Sequence, residues 1–173
     1  VEPLRMANQL CGRELYSWGT ITEEGKPAVA SDGIAITPDS SMAGALGLDV
    51  LIVVGGVNIT RSYSSRQVAW LQALARKKIL IGGVCTGPYL LAEAGLLDGY
   101  HCSAHWECIA SMQEAYPKVF CTNQLFVIER DRMTSSGGTV PMDMMLTMIQ
   151  RDFGYQLTAG ISEMFICDRV RNE

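Results

Sequence analysis

Gly83-Val84-Cys85-Thr86-Gly87 stands between an aliphatic run, Ile79–Val84, and a helical pattern that begins at Pro88. A cysteine in a G-x-C-x-G turn from strand to helix is the thiol counterpart of a nucleophile elbow. Its glycines permit a turn tight enough to lift the central side chain above the carboxyl edge of a sheet. The N-terminus of the next helix aims its amides at the same point, which lowers a thiol's pKa and attracts anions. Pro88 fits there, because a first-turn proline forfeits no helical hydrogen bond. The same residues also read more plainly, as a glycine-rich turn that happens to hold a buried thiol.

A cysteine nucleophile in acyl transfer needs a histidine base and a third group to orient it. The two histidines are His101 and His105. His105 ends the strand-like Tyr100–Ala104 and is expected on the same edge as Cys85, or held there by a local hydrogen bond. His101, near the start of that strand, is expected at the surface. No histidine after His105 could supply a base of the His-x-Glu type.

Gly55-Gly56-Val57-Asn58 is a second glycine turn, after the strand-like Leu48–Val54. Its backbone N–H groups could donate to a carboxylate or an oxyanion, or it is simply a tight turn. Ligands of open α/β sheets bind beyond the carboxyl ends of the strands. That rule gathers Gly56, Val57, Asn58, Cys85, Thr86, His105 and Trp106 around one crevice. Trp106 reads equally as an apolar wall, a cation–π face for an ammonium group, or an anchor for a helix start.

The elements that must position these residues alternate. Glu2–Gly12 carries helical spacing, with Pro3 in its first turn and Gly12 to stop it. Tyr16–Thr22 and Ile34–Thr37 read as strands. Leu48–Val54 is apolar on both faces, which predicts a strand in the middle of a parallel sheet. Ser64–Lys78 reads as a helix, Ile79–Val84 as a buried strand, and Pro88–Ala94 as a helix that Gly95 ends. Trp106–Ala115 is helical and stops before Pro117. Val119–Thr122, Leu125–Glu129 and Arg132–Ser136 are strand-like. Gly137-Gly138 precedes a helix from Val140 to about Phe153, whose methionines are core filler or a dimer face. A last helix is predicted from Tyr155 to Val170. Strands alternating with helices define a single α/β, doubly wound domain with a mainly parallel sheet.

Composition narrows the function. Forty-eight per cent hydrophobic and 18% charged residues in 173 exclude intrinsic disorder. Fourteen basic against 18 acidic residues, a net charge of −4, and no basic block argue against direct binding to a phosphate backbone. No apolar stretch approaches the roughly 20 residues of a membrane span. The six cysteines show no metal-ligand spacing and read as reduced thiols of a cytoplasmic protein. No metal and no cofactor is expected. The chain opens at Val1 directly in helix-like sequence, which raises the expectation of residues upstream.

Together, VEPLRMAN, LDVLIVVGG, GGVCTGPYLLAEAGLLDGYHCSAHWE, SSGGTVPMDMMLTMI and ISEMFICDRVR cover nearly the whole chain. They resemble the N-terminal effector domain of those AraC-family transcriptional regulators that carry a class I glutamine amidotransferase-like, PfpI-type domain. The resemblance implies a flavodoxin-like sandwich, a homodimer and a small-molecule effector. It further implies a first strand before Val1 and a C-terminal helix-turn-helix domain beyond Glu173 that binds DNA. Glu2 matches the acidic residue that the wider superfamily sets beside the elbow thiol, so it is expected near Cys85 or a ligand's cation. Relatives in this subgroup respond to amino acids and quaternary amines such as arginine, carnitine or glycine betaine. No later His-Glu pair of the amidotransferase type follows His105, which argues against glutaminase chemistry. The alternative is a cysteine-dependent enzyme of hydratase or amidase type, using Cys85 with Glu2 or His105. Oxidation sensing at Cys85 is a third reading.

Overall fold

A computed structural model describes residues 1–167 together with Val170 and Arg171. Helix α1 (Glu2–Cys11) ends at Gly12, whose φ of 63° lies in the left-handed region. Four two-residue strands follow: β1 (Ile21–Thr22), β2 (Ala28–Val29), β3 (Ala35–Ile36) and β4 (Ser40–Ser41). β1 pairs with β4, and β2 with β3, so these residues form small ribbons outside the main sheet. The expected Tyr16–Thr22 strand shrinks to β1. Asn8 takes the backbone groups of Leu15 and Tyr16 for itself, leaving that stretch no ladder to join.

The main sheet runs β5 (Val50–Val54), β6 (Leu80–Val84), β10 (Arg132–Ser135), β9 (Phe126–Glu129), in that spatial order. β5, β6 and β10 are mutually parallel, and β9 joins antiparallel. β7 (His101–Cys102) and β8 (Phe120–Cys121) form a further parallel pair. Among the described residues the central sheet is four-stranded, and β5 stands at its edge where the sequence predicted a middle strand. An apolar run on both faces reports cover above and below the strand; it does not report a partner alongside. Among the described residues no strand pairs with the outer side of β5, and Val54 is 79% exposed.

Helices cover both faces, as a doubly wound sandwich requires. On one side α2 (Ser65–Ala75), α3 (Gly87–Glu93) and α4 (Trp106–Ala115) bury Leu71, Leu74, Leu91 and Met112 against Ile79 and Ile81. On the other, α5 (Val140–Phe153) sets Val140, Met144 and Met145 on Phe126 and Met133. α1 and α6 (Tyr155–Met164) then close over Leu146 and Ile149. The methionine-rich stretch is thus core. α6 stops earlier than the sequence predicts. Ile166 turns left-handed at φ 52°, and the Cys167 and Ile166 amides return to Ser162 and Glu163. That is a Schellman stop without its usual glycine, so no residue type announced it. Part of the predicted extension, residues 168–169, lies outside the described residues. No helix among the described residues is long and apolar enough to cross a membrane.

At the carboxyl edge two turns touch through bare backbone. A Cβ on Gly87 would lie 2.2 Å from the Val53 carbonyl oxygen, and one on Gly55 would lie 2.2 Å from the Gly87 nitrogen. Both contacts are with main chain, which cannot rotate away. Gly56, by contrast, faces open space. Gly87→Ala should therefore cost about 2–4 kcal/mol in urea unfolding, an overpacking penalty, while Gly56→Ala stays within about 0.5 kcal/mol. Equal stabilities for the two variants would refute this packing.

Candidate functional site

Cys85 occupies the turn between β6 and α3 with φ at 60°. Left-handed geometry is unfavourable for a residue with a Cβ and persists only where the surroundings impose it. Here two backbone bonds impose it. The Cys85 amide donates to the Ser135 carbonyl at 3.1 Å, at the end of β10, and the Cys85 carbonyl accepts the His105 amide at 2.8 Å. The Thr86 hydroxyl donates to the Gly56 carbonyl at 2.8 Å, tying the elbow to the β5 turn. Cys85 itself is half-buried, its thiol lifted at the sheet's carboxyl edge.

His105 arrives as expected. Its side chain caps α4, Nδ1 accepting the Glu107 amide at 3.4 Å, with the Glu107 carboxylate 3.6 Å away. That amide assigns the neutral ring's proton to Nε2, on the other side of the imidazole. Nε2 and the Cys85 sulfur flank one residue that the sequence reading passed over as a site wall. A Cβ on Gly137 would sit 2.8 Å from His105 Cδ2, 3.5 Å from Nε2 and 3.4 Å from Cys85 Sγ. Only glycine brings the turn between β10 and α5 this close. Its signal was present, since Ser135-Ser136-Gly137-Gly138 is also a glycine turn between a strand and a helix.

The remaining predicted residues divide. Trp106 is 73% exposed, its ring 5.6 Å from that of His105. Gly56, Val57 and Asn58 are exposed on the neighbouring turn, Asn58 with φ at 60°. The Gly55 amide is already engaged by the Val84 carbonyl, and Thr86 is buried. Glu2 sits in the first turn of α1 and is ion-paired with Arg5 at 2.9 Å, not with the elbow. That Arg5 hydrogen bond holds the Glu2 carboxyl below its usual range. His101 is exposed and bonded to Glu129. A cavity of about 330 Å³ lies between Thr22 and Ala28, and one of about 160 Å³ beside Leu48 and Ile79. Neither takes a wall from Cys85, His105 or Gly137. Among the described residues no cluster of three or more His, Cys, Asp or Glu could hold a metal ion.

A strained cysteine at a strand-to-helix elbow, on the carboxyl edge of a flavodoxin-like sheet, defines the class. Residues 3–151 match the model of the DJ-1/PfpI family, and the chain belongs to it. Several of its relatives are transcriptional regulators. It is 58% identical, over all 173 residues, to the HTH-type transcriptional regulator GbdR of Pseudomonas aeruginosa, of which it covers 47%. To the HTH-type transcriptional regulator CdhR of the same organism it is 41% identical over 171 residues, 99% of this chain and 51% of CdhR. The crystal structure of an AraC family transcriptional regulator from Pseudomonas putida superposes with a TM-score of 0.86 at 28% identity. That match covers 95% of this chain and 88% of the other. The chain thus spans about half the length of the curated relatives it matches.

Burial pushes the Cys102 thiol up to about 12 and the Cys108 thiol up to about 11. At pH 8 iodoacetamide should therefore modify Cys85 and exposed Cys11 while leaving Cys102 and Cys108 intact, as read by peptide mass spectrometry. The raised values stabilise the fold below the ordinary thiol value of 9.0. That contribution should drain away as pH rises from about 9 toward 11, because the unfolded chain ionises first. Labelling of Cys102 as fast as Cys11 would contradict the burial.

Proposed function

We infer that this chain is the effector-sensing domain of an AraC-type transcriptional regulator, and that a small metabolite binds in the groove above Cys85. One observation carries the reading: Cys85, His105 and Gly137 converge at the carboxyl edge beside exposed Trp106, in a chain 58% identical to a transcriptional regulator. With Nδ1 capping α4, the neutral His105 presents an N–H donor, suited to holding a carboxylate and unsuited to acting as a base. Trp106 offers its face to an ammonium or quaternary amine. Gly56, Val57 and Asn58 border the groove with backbone, and Thr86 braces it. Glu2 would reach a ligand's cation only by leaving Arg5. An amino acid or quaternary amine, such as arginine, carnitine or glycine betaine, suits these groups.

The domain works in the cytoplasm as a homodimer, and DNA is contacted through a helix-turn-helix domain outside this chain. A strand preceding Val1 pairs with the open side of β5. The edge there supports this, since Val50 and Val54 leave its apolar end in solvent.

Thermal and urea unfolding against the three named compounds tests the reading. A true effector at a hundred times its dissociation constant should add about 2.7 kcal/mol of stability. Trp106→Ala should weaken a quaternary amine by about 1–2 kcal/mol, and Cys85→Ser should leave binding intact. If none of a broad amine and amino-acid panel stabilises the domain, the groove is not a sensor. If turnover appears and vanishes in Cys85→Ser, the cysteine-dependent enzyme is the correct reading.

A further inference from the structure

The first turn of α5 carries a buried carboxylate that the groove does not use. Asp143 is 1% exposed, and a carboxylate so placed requires a partner. The partner comes from beyond α6. The Arg171 amide donates to Asp143 Oδ1 at 3.0 Å, and its guanidinium donates to Oδ2 through Nε at 3.0 Å and Nη2 at 2.7 Å. Nη2 also donates to the Thr139 hydroxyl at 2.6 Å. Thr139 is the N-cap of α5, yet its side chain makes no capping bond, leaving the hydroxyl to Arg171. Two residues earlier, Gly137 is the wall against which Cys85 and His105 pack.

The turn from Gly137 to Thr139 is therefore gripped from both ends. On one side it meets the groove through a contact that tolerates no added carbon. On the other it is fastened to the segment after α6. Between the grips lies Gly138, at φ 66°, a residue free to absorb a change of backbone angle. We propose that Asp143, Thr139 and Arg171 form a clasp that couples the state of the Cys85 groove to the segment following α6. Anything that presses on Gly137 from the groove shifts the α5 N-terminus and loosens the fork on Arg171. By linkage, loss of the fork loosens the wall over Cys85. The inference takes its regulatory meaning from the sensing reading, but the coupling itself needs no effector and is tested without one.

Both directions can be measured on the 173-residue chain. First, the iodoacetamide rate at Cys85, resolved by peptide and referenced to Cys11, is compared among wild type, Arg171→Ala and Arg171→Lys. Lysine keeps the charge and loses the fork, so both variants should label Cys85 about fivefold faster or more. Second, Gly137→Ala should raise hydrogen exchange of the Arg171 amide about fivefold, read by NMR. Circular dichroism establishes that each variant is folded. Folded Arg171 variants that label Cys85 at the wild-type rate overturn the proposal, as does Gly137→Ala with the Arg171 amide still protected. If Arg171→Ala does not fold, Arg171→Lys and Gly137→Ala decide. A domain that binds no metabolite yet shows both effects has lost the sensing reading and kept the clasp.

Discussion

The left-handed backbone at Cys85 is the constraint on which the rest of the edge depends. Such a conformation costs on the order of 1–3 kcal/mol at a non-glycine residue, so something must hold it. What holds it is backbone pairing with two other chain segments: Ser135, at the end of β10, accepts from its amide, and His105, opening α4, donates to its carbonyl. Each bond contributes about 0.5–1.5 kcal/mol net, so the pair is of the right size to offset the strain. The elbow is thereby a product of the whole sheet edge, and the thiol's position inherits the rigidity of β6 and β10.

Close backbone packing extends that rigidity sideways. Gly55 and Gly87 meet main chain to main chain, and Thr86 spends its hydroxyl on Gly56. These contacts leave the β5 turn and the elbow little freedom relative to each other. The Gly137–Thr139 turn differs. Beyond Ser136, whose amide bonds to Leu125, it leaves the ladder; backbone bonds from Val140 and Met142 tie it to α5, and side chains flank it, His105 on one side and Arg171 on the other. The edge thus combines two turns locked together by backbone with a third that also depends on side chains.

Local signals made part of this legible in the sequence. G-x-C-x-G between an aliphatic run and a proline-led helix specified the elbow, since strand, turn and helix are all near neighbours along the chain. Trp106–Ala115 and Val140–Phe153 were bounded correctly because Pro117 and Gly154 punctuate them. What escaped was tertiary. The role of Gly137 depends on a histidine 32 residues earlier in the chain, and no periodicity encodes that meeting. β5 reads as central from its apolar faces, which report the layers above and below a strand, whereas a lateral partner is a backbone matter and none pairs with its outer side among the described residues. Glu2 was placed by resemblance, and in the structure its carboxylate is satisfied one helical turn away by Arg5, a pairing that i,i+3 spacing alone would suggest.

The chemistry of the edge follows from how His105 is used. An imidazole recruited as a helix cap has committed one nitrogen to an amide, and its neutral form must carry the proton on the other. Presented to Cys85 and Gly137, that nitrogen donates. In that tautomer the ring nitrogen facing Gly137 carries a proton and draws none from a thiol. The proposed sensing role would use the same donor, beside a tryptophan face and exposed turn backbone, to hold a carboxylate next to an amine. On the proposed sensing role the elbow is a rigid ledge: the strain at Cys85 fixes where the sulfur stands, and the surrounding groups would hold a ligand against it.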